Sequence, residues 1–285
     1  MERLPTNPID KWIENRIKKN KNAIIIINGP TGSGKTYVAL RKAYEWAKMF
    51  GSNFSVKDNV DFKFERLLRK TMLEKNTKPG TPFVFEEVGA FGGGASSREW
   101  QSKANKFSFS FMQTTRHRQQ ILILTCPNFS FLEKGTRSLC HMQMEMDGID
   151  NRQKVSYARP YAIQINARTG QFYFKYLRVK HNGRKFKFKR LEVPLPPKNV
   201  VKEYEKAKLR YTTELNNQIL QESKKEQKAP TKMVVNDHKV VELMERGHNQ
   251  AEIARLMGVH HRTIQRHVKK LRETKKIPII LNKQE

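Results

Sequence analysis

A glycine-rich segment holds the residues best suited to bind phosphate. Residues 29 to 36 read GPTGSGKT and match the pattern GxxxxGK[ST] at every fixed position. Backbone N–H groups of such a loop surround a β-phosphate, while Lys35 reaches the β- and γ-phosphate oxygens and Thr36 is a ligand of Mg²⁺. We therefore expect ATP and Mg²⁺ as cofactors. The predicted cofactor-binding residues are Gly29, Pro30, Thr31, Gly32, Ser33, Gly34, Lys35 and Thr36.

The residues on both sides of this loop predict the elements that would hold it. The β-branched run from Ala23 to Ile27 predicts a buried strand. The segment after the loop carries apolar residues at helical spacing and predicts a helix that ends at Gly51. The alternative is a glycine loop that merely turns a strand into a helix, and the Lys-Thr pair in register with both elements argues against it.

A pair of acids follows the next predicted strand. Residues 83 to 85 read as a short buried strand that ends in Glu86 and Glu87. A triphosphatase needs a carboxylate for the metal and a group that orients the attacking water. In a parallel sheet this strand end lies at the same edge as the phosphate loop. We therefore expect Glu86 to hold Mg²⁺ through water and Glu87 to polarise the nucleophilic water; the alternative is a solvated turn.

A third apolar run, from Ile121 to Leu124, predicts another strand of the same sheet. A polar residue at the tip of a strand beside the metal carboxylates is placed to sense the γ-phosphate. Thr125 is the first candidate for this role and Asn128 the second. Both residues are equally explained as loop caps.

The segment between the second and third strands resembles a known family. Residues 86 to 139 contain the double acid, a glycine-containing loop, an Arg-His motif before an apolar strand and a proline after it. This combination is similar to the zonular-occludens-toxin-like branch of the HerA and FtsK pumping ATPases. The stretches SSREWQ (96–101) and TTRHRQQ (114–120) most resemble archaeal virus and plasmid ATPases of that type. The resemblance covers roughly residues 20–145.

The resemblance implies an α/β fold with a RecA-like P-loop parallel sheet that assembles into a homo-oligomer, a hexameric ring with each ATP shared between neighbouring subunits. Such a ring needs an arginine supplied across the interface to stabilise charge on the transferring phosphoryl group. Arg116 and Arg118 are the main candidates, and Arg98 and Arg137 are less favoured. Each arginine alone is also explained as a solvated or DNA-facing charge.

The charge of the chain indicates a polyanionic partner. The 285 residues include 56 Lys or Arg and only 27 Asp or Glu, for a net charge of +29. Double-stranded DNA is the first candidate and an anionic membrane surface the second. No apolar run is long enough to span a membrane, and the first residues are too polar for a secretory signal, so we expect a cytoplasmic protein. Cys126 and Cys140 lack metal or disulfide spacing and are expected to be buried small hydrophobes.

The composition divides the chain further. We expect a P-loop ATPase core at 1–150, a basic β extension at 151–197, a charged helix and linker at 198–231, and a small all-α domain at 232–285. In the extension, turn signals at 168–170 and 182–183 predict hairpins. Between Lys175 and Arg190 there are eight Lys or Arg residues and no acid. A β-hairpin with this charge is explained equally in two ways. Its cations could bind along a phosphate backbone, or its lysines could protect a solvated edge strand against aggregation.

The last segment has the spacing of a helix-turn-helix, because Gly258 marks the turn between two amphipathic helices and a third helix follows. This pattern resembles the DNA-binding domains of resolvases, invertases and related transposases. The alternative is a trihelical domain used for protein contacts. The predicted buried residues are Val240, Leu243, Met244, Ile253, Ala254, Met257, Val259, Ile264, Val268 and Leu271. The predicted DNA-binding residues are Arg262, Thr263, Gln265, Arg266 and Lys269, with Arg262 and Gln265 suited to base edges and Arg266 and Lys269 to phosphates.

Together these features favour a DNA-dependent ATPase of a virus or mobile element, in which a ring of subunits moves or packages DNA and the helix-turn-helix recruits it. Viral or plasmid proteins are possible partners. One alternative is a helicase loader or a transposition or replication helper that ATP switches between assembly states. Another is a site-specific DNA-binding regulator that binds ATP without significant turnover.

Overall fold

The computed structural model describes residues 7–86, 115–132, 134–181, 184–228 and 235–273. The chain divides into two compact units, Met1–Asn216 and Asn217–Glu285. Within the described ranges no helix has the length and apolar character needed to cross a bilayer. The predicted boundaries at residues 150 and 197 both fall inside the first unit.

The first unit contains helices and strands, and its last five strands follow one another directly along the chain. Its helices are α1 Pro8–Lys18, α2 Lys35–Phe50, α3 Val56–Asn59, α4 Phe64–Met72 and α5 Lys134–Leu139, and α6 Lys198–Lys228 begins in it. Its strands are β1 Ala23–Asn28, β2 Val60–Asp61, β3 Pro82–Phe85, β4 Ile121–Cys126, β5 Met142–Asp150, β6 Val155–Ile165, β7 Phe172–His181, β8 Arg184–Phe188 and β9 Leu191–Pro194. Short 3-10 turns lie at Glu74–Asn76 and Phe129–Phe131.

These strands form a mixed sheet in the order β2-β3-β4-β1-β5-β6-β7-β8, with β9 paired to β6. In this order the first five strands, β2, β3, β4, β1 and β5, run parallel. All of the remaining strand pairs are antiparallel. Every residue of β1 is buried, as expected for a parallel strand covered on both faces. The structure confirms the predicted α/β architecture with a parallel sheet around the phosphate loop.

Alternate residues of β1 supply the cores on the two faces of the sheet. Ile25 and Ile27 pack with residues of α1 and α2, including Trp46. Ile24 and Ile26 belong to the opposite cluster, which includes residues of α4, β3 and β4. This division follows from the two-residue period of a strand, which points successive side chains to opposite faces. The central strand is therefore fixed from both sides, which positions the loop that follows it.

A buried lysine links the first two helices. Lys42 is only 2% exposed, and its ammonium group lies 2.7 Å from both Asp10 Oδ1 and Glu45 Oε2. Trp46 Nε1 also donates a hydrogen bond to Asp10 Oδ1 at 2.7 Å. The two carboxylates compensate the buried positive charge, so removing one member leaves the others without balance. Helix α2, which starts at the phosphate loop, is thereby anchored to α1.

A histidine side chain takes part in the pairing of β1 with the residues before β5. The Ile24 N–H donates to His141 Nδ1 at 3.0 Å, and the His141 N–H donates to the Ile24 carbonyl at 2.8 Å. Burial, aided by the charges of Arg16 and Lys21, lowers the pKa of His141 to about 3. The ring is therefore neutral near pH 7, which leaves Nδ1 able to accept the hydrogen bond.

Both cysteines are buried free thiols, as predicted. Burial raises the pKa of Cys126 to about 12, and burial likewise raises the pKa of Cys140 to about 12. Neither thiol is therefore ionised near neutral pH, and both act as small apolar residues of the core.

The second unit confirms the predicted helix-turn-helix. Its helices are α7 Asp237–Glu245, α8 Gln250–Leu256 and α9 His261–Glu273. Asn249 caps α8 in a capping box with Glu252, and Gly258 has the left-handed φ of +63° that the turn requires. The buried core consists of Val235, Val240, Leu243, Ile253, Ala254, Ile264, Val268 and Leu271. Met244, Met257 and Val259 pack against it, as expected from their spacing.

Candidate functional site

The phosphate loop connects β1 to α2 through glycines that its geometry requires. Gly32 and Gly34 have left-handed φ values of +78° and +85°. A Cβ atom on Gly34 would lie 2.7 Å from Ser156 Oγ, and one on Gly29 would lie 2.8 Å from Met146 Cβ. A Cβ atom on Gly32 would instead meet nothing within 4 Å. The loop therefore packs tightly against β5 and β6 on one side and is open at Gly32.

The loop offers positive charge and hydrogen-bond donors to an anion. Helix α2 begins at Lys35, so the N–H groups of its first turn have no partner within the helix, and that turn contains no acid. Lys35 Nζ donates to the carbonyls of Gly29 at 2.9 Å and Pro30 at 2.8 Å, which places the ammonium group across the loop. Within the described residues the buried Ser33 Oγ has no hydrogen-bond partner. These features fit a bound phosphate chain.

Glu86 meets the loop residue Thr36 in the interior. Glu86 is 1% exposed, and Thr36 Oγ1 donates to its Oε1 at 2.7 Å. Its strand, β3, is not a direct neighbour of β1, because β4 lies between them. At the end of β4, Thr125 Oγ1 donates to the same oxygen at 2.9 Å. The structure thus brings together the two residues predicted to bind the metal, although β4 lies between the strands that precede them.

The pair of Thr36 and Glu86 fits a Mg²⁺ site. Mg²⁺ prefers oxygen ligands, keeps several water molecules, and is commonly held by one or two protein groups together with substrate phosphates. A hydroxyl and a carboxylate 2.7 Å apart at the first turn of α2 provide this donor set. In such sites the ion neutralises charge on the β- and γ-phosphate oxygens.

The second oxygen of Glu86 is held by helix α6, which lies in the segment predicted as a charged helix, although this contact was not predicted. Tyr204 is 2% exposed, and its hydroxyl donates to Glu86 Oε2 at 2.7 Å. Lys208 Nζ lies 3.5 Å from the same oxygen. A signal was present, because Val200, Tyr204, Ala207 and Tyr211 repeat at helical spacing and form an apolar stripe within a charged segment. Glu86 therefore connects the phosphate loop with α6.

The candidates for sensing the γ-phosphate have different surroundings. Thr125 is 1% exposed and donates a hydrogen bond to Glu86, so it lies within the candidate metal site. Asn128 caps the following 3-10 turn, because its Oδ1 accepts the N–H of Ser130 at 2.9 Å. The loop-cap interpretation therefore accounts for Asn128, and contact of Thr125 with a γ-phosphate stays a prediction.

The candidate arginines lie at the other edge of the sheet. Arg116 is exposed, whereas Arg118 Nη1 donates to the Thr71 carbonyl at 2.7 Å. Both precede the start of β4, and the phosphate loop lies at the opposite ends of β1 and β4, about 20 Å away at 3.3 Å per residue. An arginine side chain does not span that distance, so neither serves the loop of its own chain. Action across a subunit interface stays a prediction.

Other predicted residues are used differently or lie outside the described part of the chain. Arg137 lies over the rings of Phe129 and Phe172, 5.7 and 5.6 Å from their centres. This cation-π packing accounts for Arg137 within the fold. Glu87 and Arg98 fall outside the described residues, as does most of the stretch that carries the family resemblance.

Helix α9 of the second unit presents the predicted DNA-binding face. Its buried side packs through residues 264, 268 and 271, and its opposite side is exposed. His267 of α9 also contacts α7, because its Nδ1 lies 2.8 Å from Asp237 Oδ1. The exposed side includes Arg262, Gln265, Arg266 and Lys269, while Thr263 is half-buried. This arrangement presents guanidinium, amide and ammonium groups together on one side of a short helix.

Comparison with known proteins supports the helix-turn-helix assignment. The family described as "Helix-turn-helix domain" matches residues 239–276. No sequence among curated proteins matches the chain.

Solved structures of two kinds are similar to this chain. The N-terminal domain of zonular occludens toxin from Neisseria meningitidis is 13% identical with a TM-score of 0.31, over 55% of this chain and 95% of that one. The DNA-packaging ATPase B204 from Sulfolobus Turreted Icosahedral Virus is 13% identical with a TM-score of 0.33, over 55% and 98%. The genome packaging NTPase B204 from Sulfolobus turreted icosahedral virus 2, in complex with ATP-gammaS, is 13% identical with a TM-score of 0.29, over 55% and 97%. These are the groups that the sequence motifs resemble.

Proposed function

We propose that the protein is a Mg²⁺-dependent ATPase whose first unit hydrolyses ATP and whose second unit binds double-stranded DNA. The observation that carries this proposal is the 2.7 Å hydrogen bond between Thr36 and Glu86, which joins the end of the phosphate loop to the acid of a separate strand. A glycine loop that only connects a strand to a helix would not require a carboxylate buried to 1% exposure beneath it.

The chemistry assigns a task to each group of the site. Lys35, now bonded to two loop carbonyls, turns to the β- and γ-phosphate oxygens when a nucleotide binds. Thr36 and Glu86 hold Mg²⁺, while Thr125, Tyr204 and Lys208 keep the carboxylate in position. Bound Mg²⁺ supplies the neutralisation of charge that develops on the phosphoryl group.

Two further roles complete the proposed reaction. Glu87 orients the attacking water as a general base, and Arg116 of a neighbouring subunit stabilises the transferring phosphoryl group. Arg118 is the weaker candidate for that role because its guanidinium group already binds the Thr71 carbonyl of its own chain. A site shared in this way requires a homo-oligomer, and we propose a hexameric ring.

The work done by ATP is proposed to be movement of DNA in a virus or mobile element. The net charge of +29 and the helix-turn-helix support DNA as the partner. The second unit would recruit the ring to its DNA, and turnover in the first unit would then move the duplex. Displacement of a third strand from a triplex during ATP turnover tests this, because a loader or regulator does not clear DNA processively.

Substitution of the loop lysine tests the ATPase directly. Lys35→Ala is expected to abolish ATP binding or turnover while the full chain still binds duplex DNA, since the helix-turn-helix lies in the other unit. Lys48→Ala is the matched control, because Lys48 is an exposed lysine at the far end of the same helix. Equal turnover in the two variants would contradict the assignment, and simultaneous loss of DNA binding would contradict separate roles for the two units.

Substitution of the predicted base separates binding from hydrolysis. Glu87→Gln is expected to bind ATP normally and to turn over slowly, because the amide cannot accept the proton of the attacking water. Unchanged hydrolysis would remove Glu87 from this role without affecting the assignment of Thr36 and Glu86.

A further inference from the structure

Strands β7 and β8 form a two-stranded ribbon beyond the main sheet. Up to Tyr176, β7 pairs with β6, and from Leu177 onward it pairs with β8 instead. We refer to residues 177–181 and 184–188 as the basic ribbon. Within it the apolar pairs Leu177–Phe188 and Val179–Phe186 alternate with other pairs along the register.

The pairs between them place like charges opposite each other. Arg178 is directly opposite Lys187, and Lys180 is opposite Lys185. Directly opposed residues have Cβ atoms about 5 Å apart, and like charges at that distance destabilise the pairing. Arg178 and Lys187 are exposed, and among the described residues no acidic side chain forms an ion pair with either. The fold therefore carries repulsion here that nothing in its described contacts compensates.

Protection of an edge strand does not account for this arrangement. A single lysine, or a lysine opposite a glutamate, already prevents edge-to-edge association. Placing Arg178 directly opposite Lys187 adds repulsion without improving that protection. The segment from Lys175 to Arg190 contains no acid at all, in a chain whose net charge is already +29. A polyanion bound to the ribbon would remove the repulsion.

We propose that the basic ribbon binds the phosphate backbone of duplex DNA, as a contact surface of the first unit separate from the helix-turn-helix. The proposal deepens the DNA association proposed above. Residues two apart on one face of a strand are about 6.6 Å apart, close to two 3.4 Å steps along a DNA strand. Contacts of this kind position a protein on DNA without reading its sequence.

The apolar residues of the ribbon favour DNA over a membrane surface. A surface that binds anionic membranes combines its cations with exposed apolar side chains that enter the lipid. Here Leu177 is only 8% exposed, and Phe188 packs against the core of the first unit. Leu177 and Phe188 are thus used by the protein itself, whereas the cationic groups of Arg178 and Lys187 are accessible.

The test compares two double variants of the full chain. Both are made on a background in which Arg262→Gln and Lys269→Gln weaken the helix-turn-helix face. The ribbon variant is Arg178→Gln with Lys187→Gln. The control, Lys57→Gln with Arg69→Gln, removes the same charge from exposed residues beside β2, at the opposite end of the strand order from β8. Binding to an arbitrary 30-base-pair duplex is measured by fluorescence anisotropy between 50 and 300 mM KCl.

The slope of log affinity against log salt is negative, and the ribbon variant is expected to reduce its magnitude by about 1.8. The reason is that each of the two lost phosphate contacts contributes about 0.9. At 100 mM salt that corresponds to an affinity loss of roughly 60-fold. The control is expected to leave the slope nearly unchanged. Since the ribbon variant also relieves like-charge repulsion, its melting temperature should rise or stay constant, whereas a ribbon with a purely structural role would lose stability.

The remaining outcomes separate failure of this inference from failure of the proposed function. Equal slopes in the ribbon variant and the control would overturn the ribbon as a DNA surface while DNA association itself stands. Unchanged DNA binding together with lost binding to phosphatidylserine vesicles would also overturn it, in favour of a membrane surface. If the unsubstituted protein did not bind duplex DNA, the proposed function would fail and the ribbon inference with it.

Discussion

Replacing Tyr204 with phenylalanine removes one hydroxyl and tests how α6 holds the buried carboxylate of Glu86. That hydroxyl donates to Glu86 Oε2 at 2.7 Å, and Glu86 is 1% exposed, so water cannot easily replace the lost hydrogen bond. The phenyl ring keeps its contact with Phe62, whose ring centre lies 6.0 Å away. A hydrogen bond to a charged group contributes about 1.5–3 kcal/mol, so the free energy of unfolding of the first unit should fall by that amount.

Urea unfolding followed by tryptophan fluorescence measures this loss in the first unit alone. The three tryptophans, Trp12, Trp46 and Trp100, all belong to that unit. Tyr44→Phe is the matched control, since it removes a phenol hydroxyl from half-buried α2 and should change stability by less than about 0.5 kcal/mol. On a Glu86→Gln background the effect of Tyr204→Phe should shrink, because the acceptor is no longer charged. Equal losses for both tyrosines, or an unchanged effect on that background, would refute the proposed link.

Three further predictions concern the frame around the site. Lys42→Met should lower the free energy of unfolding by about 3 kcal/mol, because it leaves the partly buried Asp10 carboxylate without its cation while Glu45 keeps its ion pair with Arg41; a loss below about 1 kcal/mol in urea unfolding would contradict this. Because the pKa of His141 is about 3 when folded and near 6.5 when unfolded, its contribution is complete above pH 6.5 and falls by about 2 kcal/mol at pH 5. His141→Gln should therefore flatten the dependence of stability on pH in that range, and an unchanged slope would exclude this origin. Gly80→Ala should destabilise more than Gly148→Ala, because both have left-handed φ values but only at Gly80 would the new Cβ lie 2.3 Å from the Phe50 ring; thermal melts of the two variants decide the order.

The local parts of the fold could be predicted because their signals lie within a few residues. The β-branched run before Gly29 and the left-handed cap at Gly51 define the strand and helix around the phosphate loop, and both are confirmed. The helix-turn-helix was equally accessible, because its core residues and Gly258 follow a short fixed spacing. Periodicity and turn chemistry are sufficient where the contacts of an element are set by its own sequence.

The parts that could not be predicted depend on contacts between distant residues. Tyr204 and Glu86 are 118 positions apart in the sequence. The apolar residues around Tyr204 lie in a segment rich in charged residues, which is typical of a surface helix. The insertion of β4 between β1 and β3 is a matter of strand order, which the pattern of each strand does not contain. The hydrogen bond that the Arg118 guanidinium group donates to the Thr71 carbonyl likewise joins residues that are distant in the sequence, so no local pattern predicts it.

The central claim is that Thr36 and Glu86 share a Mg²⁺ ion beneath bound nucleotide phosphates. Calorimetric titration of the full chain with a non-hydrolysable ATP analogue, with Mg²⁺ and with a chelator, tests it most directly. The unsubstituted protein and the control Thr213→Val, whose side chain is exposed on α6 away from the phosphate loop, should bind at least about tenfold more tightly with Mg²⁺, equivalent to about 1.4 kcal/mol. Thr36→Val should lose that difference. Equal affinity with and without Mg²⁺ in the unsubstituted protein, or full Mg²⁺ dependence in Thr36→Val, would contradict the claim.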